Sequence, residues 1–394
     1  MKIGVNALFL QTPASGSGQY LIHLLNALAE IDQQNEYILL GATLQEKPPL
    51  RSPWERFPYQ VSPVPTLARS NENIEKLVWE QLTGPRAARK AGVDLLHVPY
   101  FAPPLFPRTP TVVTIHDVIP LRLPLYRAGA RVEAYMRLVA RAASKATLII
   151  TVSQHARQDI MDILHVPAER IRVIYEAAGD EYTPVTDPAA LATARGRYGL
   201  GEQYIFYLGG LDQRKNVLQL VRAFAHLYRQ LENPNLQLFI SGNPEKKKNG
   251  PLFPDPRPIA AELGVADKII YRFVEEEDKS AVYSGASLFV FPSLYEGFGL
   301  PPLEAMSCGA PVICSNRTSL PEVVGDAAIS VDPDDIRAMA EAMRSVLTDS
   351  TLRDNLRARS LQRAAQFSWR KAAKETLAVY EEALARQKAI VCVY

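Results

Sequence analysis

Short apolar runs alternate with longer helix-periodic segments along most of the chain, and the alternation starts again in the second half. A chain with this pattern buries each apolar run as a strand of a parallel sheet and covers the sheet with the connecting helices. Between the two series, Ala177–Leu200 is weakly periodic and contains Gly, Pro and Asp, so we place a hinge there. The sequence therefore predicts an α/β protein with two parallel-sheet domains.

The periodicity also predicts individual elements. The strands predicted in the first half are Lys2–Phe9, Tyr37–Leu40, Asp94–Val98, Thr111–His116, Thr147–Val152 and Ile171–Tyr175. Those predicted in the second half are Tyr204–Leu208, Leu236–Ile240, Lys268–Phe273, Leu288–Phe291, Pro311–Cys314 and Ala327–Val331. The helices predicted in the first half are Gln19–Ile31, Glu72–Ala91, Ala128–Lys145 and Gln154–Leu164. The proline-rich segment Lys47–Pro65 is predicted to be a surface loop.

The composition excludes several classes of protein. With 394 residues, 47% hydrophobic and 22% charged, the chain is long enough for two globular domains. A net charge of +2 gives no reason to expect binding to nucleic acid. No apolar run approaches the roughly 20 residues of a membrane span, and the chain starts as a strand without a signal-peptide pattern. Cys308, Cys314 and Cys392 form no disulfide or zinc pattern, so we expect a cytoplasmic, reduced protein.

The most informative local pattern is a strand, a glycine-rich turn and a helix around residue 300. The apolar run Ser287–Phe291 predicts a buried strand that stops at Pro292. Pro301 and Pro302 suit the first turn of a helix, and Gly309 suits its C-terminal cap. The turn between them therefore lies at a helix N-terminus, where backbone amides attract anions.

Two carboxylates flank this turn. The tripeptide Gly297-Phe298-Gly299 lets a ligand approach the backbone closely, because glycine has no side chain. Glu296 precedes it, and Glu304 follows eight residues later in what we predict to be the first helical turn. Taken singly, Glu304 fits a helix-start charge and Glu296 a solvated loop residue. Together with the amides, the two acceptors suit a ligand that is part phosphate and part polyol.

A second pattern places two cations at the end of a strand. The strand that begins at Tyr204 ends at Gly209-Gly210, and a helix begins near Asn216. Arg214 and Lys215 therefore lie at a carboxyl end of a parallel strand, where open sheets bind ligands. In isolation these residues also fit a solvated basic turn. Their chemistry suits a phosphate leaving group that gains negative charge as a bond breaks.

His116 closes the apolar strand Thr111–Ile115 and is followed by Asp117. A lone histidine at this place is often a hydrogen-bonded strand-end residue. At the carboxyl edge of a parallel sheet it is also a candidate for acid–base chemistry. We expect Asp117 to orient the loop.

The turn containing Gly16 and Gly18 follows the first strand and resembles a dinucleotide-binding fingerprint. Leu21 stands where the third glycine of that fingerprint belongs. The second strand, Tyr37–Leu40, is followed by a glycine and not by the acidic residue that binds the ribose hydroxyls in dinucleotide-binding proteins. The pattern therefore argues against an NAD-dependent oxidoreductase.

The segment Glu296–Glu304 resembles the E-x7-E signature of retaining nucleotide-sugar glycosyltransferases of family 4, which have the GT-B fold. The similarity runs from Lys2 to about Tyr380 and includes Ala310–Ile313 and Ser319–Asp326. It implies two Rossmann-like parallel-sheet domains that face each other across a cleft. The domains it implies are residues 1–178 on the acceptor side, residues 179–370 for nucleotide-sugar binding, and a helix, residues 371–388, that crosses back to the first domain.

The resemblance also implies roles for the residues described above. His116 would contact the donor sugar, and Arg214 and Lys215 would hold the donor diphosphate. Glu304 would bind the ribose hydroxyls, and Glu296 those of the transferred sugar. The loop at Gly16 and Gly18 would close over the reacting centre, although Gln19 stands where many members have a basic residue. The full catalytic set is His116, Arg214, Lys215 and Glu296. The full donor-binding set is Gly16, Gly18, Gly210, Arg214, Lys215, Val274, Glu296, Gly297, Phe298, Gly299, Leu300 and Glu304.

The function implied is retaining, metal-independent transfer of a hexose from a nucleotide sugar to a glycan or lipid-linked acceptor. The runs His116–Pro120 and Glu296–Glu304 look most like bacterial mannosyltransferases of surface-polysaccharide assembly, which favours GDP-mannose. Asp332-Pro-Asp334 could be mistaken for a metal-holding motif, but we predict that it caps the helix Ile336–Leu347. The alternatives that stay open are a UDP-glucose-type glucosyltransferase, a GT-B sugar-nucleotide epimerase, an NAD-dependent oxidoreductase and a non-catalytic GT-B binding protein.

One segment has an unusual charge balance. Arg122–Lys145 contains six basic residues and one acid, with several of the basic residues spaced to share a helix face. Such a helix is either an ordinary solvated face or a peripheral contact with an anionic membrane, which here would be the inner face.

Overall fold

The computed structural model describes residues 1–43, 50, 57–127, 129–231, 233–242 and 250–391. Residues 47–49 and 51–56 of the predicted loop Lys47–Pro65, the first residue of the predicted helix Ala128–Lys145, and Cys392 lie outside the described residues. The chain divides into two compact units. The first contains Met1–Glu176 together with Ser368–Tyr394, and the second contains Ala177–Phe367.

The first unit is built on a seven-stranded sheet with the order β3-β2-β1-β4-β5-β6-β7, in which every described pairing is parallel. Its strands are β1 Lys2–Asn6, β2 Glu36–Gly41, β3 Tyr59–Val61, β4 Leu95–Val98, β5 Thr111–Ile115, β6 Leu148–Thr151 and β7 Ile171–Val173. Its helices are α1 Gly16–Ile31, α2 Glu72–Val78, α3 Gly84–Lys90, α4 Ile119–Arg122, α5 Ala130–Ala143, α6 Gln154–Leu164 and the C-terminal helix α15 Trp369–Val391.

The second unit is built on a six-stranded parallel sheet with the order β10-β9-β8-β11-β12-β13. Its strands are β8 Tyr204–Leu208, β9 Gln237–Ser241, β10 Ile269–Arg272, β11 Leu288–Phe291, β12 Val312–Ser315 and β13 Ile329–Val331. Its helices are α7 Pro188–Tyr198, α8 Val217–Gln230, α9 Arg257–Glu262, α10 Lys279–Gly285, α11 Leu300–Ser307, α12 Leu320–Val324, α13 Ile336–Thr348 and α14 Ser350–Ala364. The predicted parallel sheets are therefore present in both halves of the chain.

Strand β11 shows why apolar runs fold this way. All four of its side chains are buried, because helices cover both faces of a parallel sheet. Phe289 and Phe291 stack on each other with ring centroids 6.1 Å apart. A buried side chain of this size contributes about 1.5–3 kcal/mol. Packing of these buried side chains therefore fixes the position of the strand and of the first residue of the loop that follows it.

The C-terminal helix α15, Trp369–Val391, belongs to the first unit. Trp369 stacks on His23 of α1 at 5.3 Å between ring centroids. Farther along, the Tyr380 hydroxyl lies 2.7 Å from Nδ1 of the buried His97 in β4. Arg172 of β7 donates from Nε to Glu382 at 2.9 Å. No described helix is both long and apolar enough to cross a membrane.

Several predicted elements differ from the structure. Strand β1 ends at Asn6 and not at Phe9, because Leu8–Gln11 forms a 3-10 turn. The segment predicted as a weakly periodic hinge, Ala177–Leu200, contains the helix α7, Pro188–Tyr198.

Strand β3, Tyr59–Val61, was not predicted; it lies within the segment taken as a loop and pairs with β2 as the edge strand of the sheet. The predicted helix Glu72–Ala91 contains a π-helical turn at Trp79–Thr83. Pro85 lies just beyond this turn and has no amide hydrogen to donate, so the regular helical hydrogen bonding is interrupted there.

Candidate active site

The second unit brings two loops together at one edge of its sheet. Strands β8 and β11 are parallel neighbours, so the loops that follow them start side by side. The first loop ends in a short 3-10 turn, Gln213–Lys215, and Asn216 then adopts φ of +59° before α8 begins. The amide of Leu294 in the second loop donates to the Arg214 carbonyl at 2.7 Å. This backbone bond fixes the position of the two cations relative to the second loop.

Four charged side chains meet where these loops touch. Nη1 of Arg214 lies 2.9 Å from one carboxylate oxygen of Glu296, and Nζ of Lys215 lies 2.5 Å from the other. On the other side, Nε of Arg214 lies 3.2 Å from Oδ1 of Asp212. The Ser293 hydroxyl donates to Glu296 at 2.5 Å. We call Asp212, Arg214, Lys215 and Glu296 the charge cluster; it holds two cations and two carboxylates.

The charge cluster is shielded from solvent, with side-chain exposures of 10% for Lys215 and 11% for Glu296. Burial opposes ionisation of Glu296, but Lys215 and Arg214 outweigh it and hold the pKa of Glu296 below its usual range. The Lys215 ammonium also lies 4.8 Å from the centroid of the Phe291 ring. Glu296 is therefore an anion at neutral pH and keeps both cations in place.

The glycine-rich turn next to the charge cluster is fixed by its own geometry. Gly299 has φ of +132°, and a Cβ atom there would lie 2.8 Å from Leu320, so only glycine fits without strain. The Ser319 hydroxyl donates to the Glu296 carbonyl at 3.0 Å, and the Glu296 amide donates to Thr318 Oγ1 at 3.1 Å. Helix α11 starts directly after Gly299, and no described side chain caps it. The helix N-terminus therefore lies beside the charge cluster.

The helix prediction is largely confirmed, with one correction. Pro301 and Pro302 lie in the first turn of α11, and Gly309, with φ of +72°, follows its C-cap residue. Glu304 is not in the first turn, as we predicted, but in the second, because α11 begins at Leu300. The Tyr283 hydroxyl donates to Glu304 at 2.8 Å. Burial raises the pKa of Glu304, despite the opposing effect of Lys279.

The structure brings some predicted residues together and not others. Arg214, Lys215 and Glu296 are in direct contact, whereas Glu304 contacts Tyr283 on α10. Gly210 accepts at its carbonyl from Tyr207 at 2.7 Å. Val274 is fully buried, and its amide donates to Ser241 Oγ at 3.3 Å.

The predicted cap at Asp332-Pro-Asp334 is wrong. The N-cap of α13 is Asp335, whose side chain accepts from the Ala338 amide. Asp332 and Asp334 instead each pair with Nη2 of Arg317 at 2.7 Å. Among the residues that the structure describes, no group of three or more His, Cys, Asp or Glu is placed to hold a metal ion.

In the first unit, His116 follows β5 and lies among polar and aromatic partners. Its Nδ1 lies 2.9 Å from a carboxylate oxygen of Glu176, and its Nε2 lies 3.3 Å from the Pro99 carbonyl. The ring of Tyr20 meets it edge-on at 4.7 Å. Burial lowers the pKa of His116, but the hydrogen bond and charge of Glu176 outweigh it, and the pKa is raised. Asp117 accepts from the Ile119 amide at 2.9 Å, which orients the loop as expected.

The two predicted glycines of the first loop differ in what they do. Helix α1 begins at Gly16, and its N-cap Ser15 accepts from the Gly18 amide at 3.1 Å. A Cβ atom at Gly18 would lie 2.3 Å from the Thr12 carbonyl, whereas one at Gly16 would meet no atom within 4 Å. Gln19 donates to the Pro13 carbonyl at 2.9 Å. Close packing against the Thr12 carbonyl thus explains why residue 18 is glycine, whereas packing sets no such requirement at residue 16.

Sequence reasoning missed several partners of the site. Glu176 follows β7 at the edge of the first sheet, 60 residues from His116. Asp212 and Ser293 lie in the two loops that carry the predicted site residues. Asp212 is two residues from Arg214 and Ser293 is three residues from Glu296, and this short separation could have predicted the contacts. Tyr20 directly follows the glycine loop, but nothing local predicted that it would reach His116.

Comparison with known proteins gives the family. The family described as "Glycosyltransferase Family 4" matches residues 14–178, and "Glycosyl transferases group 1" matches residues 194–363. The chain is also 34% identical over 286 residues to O-antigen chain mannosyltransferase B of Escherichia coli, covering 68% of this chain and 70% of that protein. The chain is a family 4 glycosyltransferase.

Two further relatives and a solved structure extend the comparison. The glycosyltransferase is 28% identical to MMP alpha-(1->4)-mannosyltransferase of Mycolicibacterium hassiacum, covering 98% of this chain and 99% of that protein. It is 33% identical over 270 residues, or 66% of its length, to the serotype-specific mannosyltransferase WbdA of Escherichia coli, but spans only 32% of that protein. Sucrose-phosphate synthase from Thermosynechococcus elongatus has the same fold, with a TM-score of 0.75, 22% identity and coverage of 98% of this chain and 100% of that one. The predicted GT-B fold class is confirmed.

Proposed function

We propose that this glycosyltransferase moves mannose from GDP-mannose to a hydroxyl of a glycan or lipid-linked acceptor, with retention at the anomeric carbon. The observation that carries the proposal is the charge cluster next to the N-terminus of α11. In this cluster Glu296 pairs with Arg214 and Lys215 and positions both cations beside a glycine-rich turn. Cations together with helix-start amides are the donors that a diphosphate needs.

In this proposal the second unit, Ala177–Phe367, binds the nucleotide sugar. The incoming diphosphate shares Arg214 and Lys215 with Glu296, and the amides at Gly297–Leu300 donate hydrogen bonds to its remaining oxygens. As the bond from the anomeric carbon to the phosphate oxygen breaks, charge grows on the phosphate, where fixed donors stabilise it most. Each oxygen of Glu296 already has a cation partner, and its remaining lone pairs accept from hydroxyls of the sugar.

Other residues of the second unit serve the nucleoside and the shape of the site. Glu304 accepts from the ribose hydroxyls in addition to the Tyr283 hydroxyl. Val274, whose side chain is fully buried, contributes to the site through its backbone only. Gly210 lies two residues after the end of β8, where a Cβ atom would lie 2.8 Å from Oδ2 of Asp212.

The first unit supplies His116 and receives the acceptor. Glu176 accepts from Nδ1–H of His116, so the ring keeps a fixed orientation. The acceptor hydroxyl attacks the same face that the phosphate leaves, and its proton passes to the departing phosphate oxygen. Arg214 and Lys215 are the cations of the charge cluster that provide the countercharges, and we propose that no metal ion is needed.

The choice of mannose rests on relatives. The three relatives named above are mannosyltransferases, and one of them matches almost the whole chain. Two alternatives are a UDP-glucose donor and epimerisation of a sugar nucleotide. The donor-binding test below and the transfer reaction in the Discussion distinguish them from the proposal.

A thermal-shift panel tests donor binding and metal independence together. GDP-mannose is expected to raise the melting temperature in the presence of EDTA, because a ligand that binds only the folded state stabilises it. UDP-glucose, NAD and free mannose at the same concentration are the controls. A shift that appears only after magnesium or manganese is added, or only with UDP-glucose or NAD, would contradict the proposed donor or its metal independence.

We further propose that the basic segment Arg122–Lys145 contacts an anionic membrane that carries the acceptor. In the structure, Arg131, Arg137 and Arg141 are exposed on α5, and Val132 is 41% exposed beside them. Each basic residue near such a surface adds roughly 1 kcal/mol to binding. Glu133 pairs with Arg137 at 2.6 Å and weakens this effect at one position.

Liposome sedimentation tests this contact. The parent is expected to sediment with anionic liposomes at low salt and to be released as salt screens the charges. The triple change of Arg131, Arg137 and Arg141 to Glu is expected to abolish sedimentation. Neutral liposomes are the control. A parent that ignores anionic liposomes at low salt would show that the face is merely solvated.

A further inference from the structure

A series of buried hydrogen bonds runs through the first unit from the C-terminal helix α15 to helix α1. The Tyr380 hydroxyl lies 2.7 Å from Nδ1 of His97, and Nε2 of His97 lies 2.9 Å from Oγ1 of Thr114. That oxygen lies 3.1 Å from the Tyr20 hydroxyl. Each of the four residues is at most 2% exposed, so every polar group depends on its neighbours for hydrogen bonds. We call Tyr380, His97, Thr114 and Tyr20 the buried network.

His97 orders the hydrogen bonds of the buried network. Burial lowers the pKa of His97 to about 3, and the nearby His116 adds to this effect. His97 is therefore neutral at pH 7, so one of its ring nitrogens donates a hydrogen bond and the other accepts one. Tyr380 and Thr114 lie on different ring nitrogens. Removing the Tyr380 hydroxyl leaves Nδ1 without this partner, and the ring then no longer presents a fixed nitrogen to Thr114.

Tyr20 brings the buried network to His116. Its ring meets the His116 ring edge-on, with centroids 4.7 Å apart and an angle of 82° between the planes. Burial raises the pKa of Tyr20, and the charge of Glu176, the carboxylate that binds His116, adds to the rise. Thr114 and His116 are two residues apart at the carboxyl end of β5, and Tyr20 contacts both. Movement of Tyr20 therefore changes what His116 packs against.

Helix α15 contacts Tyr20 by a second route. Trp369, at the start of α15, meets the Tyr20 ring at 5.7 Å between centroids and stacks on His23 at 5.3 Å. These ring contacts restrict where Tyr20 lies. The directional hydrogen bond to Thr114 selects one position within that range.

We propose that Tyr380 is a positioning residue of this glycosyltransferase. Through the rest of the buried network it fixes the orientation of the His116 ring beside Glu176. The inference rests on the proposed function, in which His116 contacts the donor sugar, and adds a residue of the C-terminal helix that acts only through others. A misplaced reacting group slows the chemical step. A buried network also stabilises the packing of the helix that carries it, so the test needs a readout at His116 itself.

NMR of the histidine rings gives that readout. The six histidines of the full chain are labelled with the NMR-active nitrogen isotope, and His116→Gln assigns the His116 signals. Tyr380→Phe removes only the hydroxyl, and Thr114→Val breaks the buried network closer to His116. In both variants we expect the ring signals of His116 to shift or to split into more than one state.

Thr376→Val is the matched control. It removes a fully buried hydroxyl from the same helix, where Thr376 donates to the Ala372 carbonyl at 2.8 Å and not to the buried network. Its His116 signals and its kcat should equal those of the parent. Melting temperatures are measured on every variant.

Steady-state kinetics with GDP-mannose shows whether the orientation of His116 matters for transfer. Tyr380→Phe and Thr114→Val are each expected to lower kcat by about tenfold or more. The KM for the donor should stay within about twofold of the parent value, because binding depends less on the orientation of one ring. The double variant should lose no more than the worse single variant, since both changes break the same network.

The proposal is overturned if folded Tyr380→Phe keeps the His116 signals of the parent, or if the losses of the two single variants multiply in the double variant. It is also overturned if Tyr380→Phe has the kcat of Thr376→Val while His116→Gln is impaired. If Tyr380→Phe does not fold, Thr114→Val decides by the same readouts. A parent that is inactive with GDP-mannose, or a His116→Gln enzyme with the kcat of the parent, contradicts the proposed function instead. The ring signals need no substrate, so they still decide whether Tyr380 positions His116.

Discussion

Replacing Arg214 with alanine is expected to lower kcat by about 10²- to 10³-fold, the usual cost of removing one fixed donor from a developing negative charge. The reason is its position: its guanidinium is held by Glu296 on one side and Asp212 on the other, beside the helix start of α11. The measurement is steady-state release of nucleotide with donor and acceptor both saturating. Under these conditions the loss appears in turnover and not only in donor affinity.

Arg344→Ala is the control for this change. Arg344 lies on the exposed side of α13 and pairs only with Glu341 among the described contacts. It should retain the activity of the parent. An Arg214→Ala enzyme whose kcat stays within threefold of the parent, at unchanged stability, would remove Arg214 from the proposed chemistry.

The second large effect is on stability. Glu296→Ala is expected to lower the free energy of unfolding by about 3–5 kcal/mol, since it removes the carboxylate that neutralises a buried cation. Lys215 is 10% exposed at its side chain, and Glu296 is its ion-pair partner in the described structure. Urea unfolding at pH 7 measures the change, with Glu304→Gln as a carboxylate control that leaves the charge cluster intact.

A double variant separates the unpaired charge from the loss of packing. Lys215→Met combined with Glu296→Leu should recover part of the stability, because hydrophobic side chains of similar size often replace a buried ion pair without cost. If Glu296→Ala instead costs less than about 1 kcal/mol, the pair behaves like an exposed salt bridge. That result would contradict the claim that the charge cluster is buried and preorganised.

The sequence predicted elements well where one local rule decides the outcome. The strand before Pro292 and the prolines and glycine that bound α11 follow directly from backbone chemistry. The exact start of α11 did not, because it depends on the φ of +132° at Gly299 and on the packing of that residue against Leu320. Glu304 was therefore placed one turn too early.

Predictions failed where the deciding contact is distant in sequence. Strand β3 is three residues long and exists only because it pairs with β2. A proline-rich segment gives no periodicity from which to predict such a strand. At Asp332-Pro-Asp334, the preference of aspartate for helix starts was correct, but the neighbour Asp335 takes the capping position and Arg317 pairs with the other two.

The candidate site shows the same division. That Arg214, Lys215 and Glu296 lie at strand ends was predictable, because parallel strands end at a common edge. Their mutual contacts, and the pairing of His116 with Glu176, join residues many positions apart. Only the strand order of each sheet, which local patterns do not determine, brings them together.

The most direct test of the central claim is a transfer reaction followed by NMR. The enzyme is incubated with GDP-mannose and an α-mannoside acceptor in EDTA, and the configuration of the new linkage is read from the anomeric signals. The account predicts release of GDP that depends on the acceptor and a new α-linked mannose, the configuration of the donor. A β-linked product, transfer from UDP-glucose but not from GDP-mannose, or epimerised donor without transfer would contradict it.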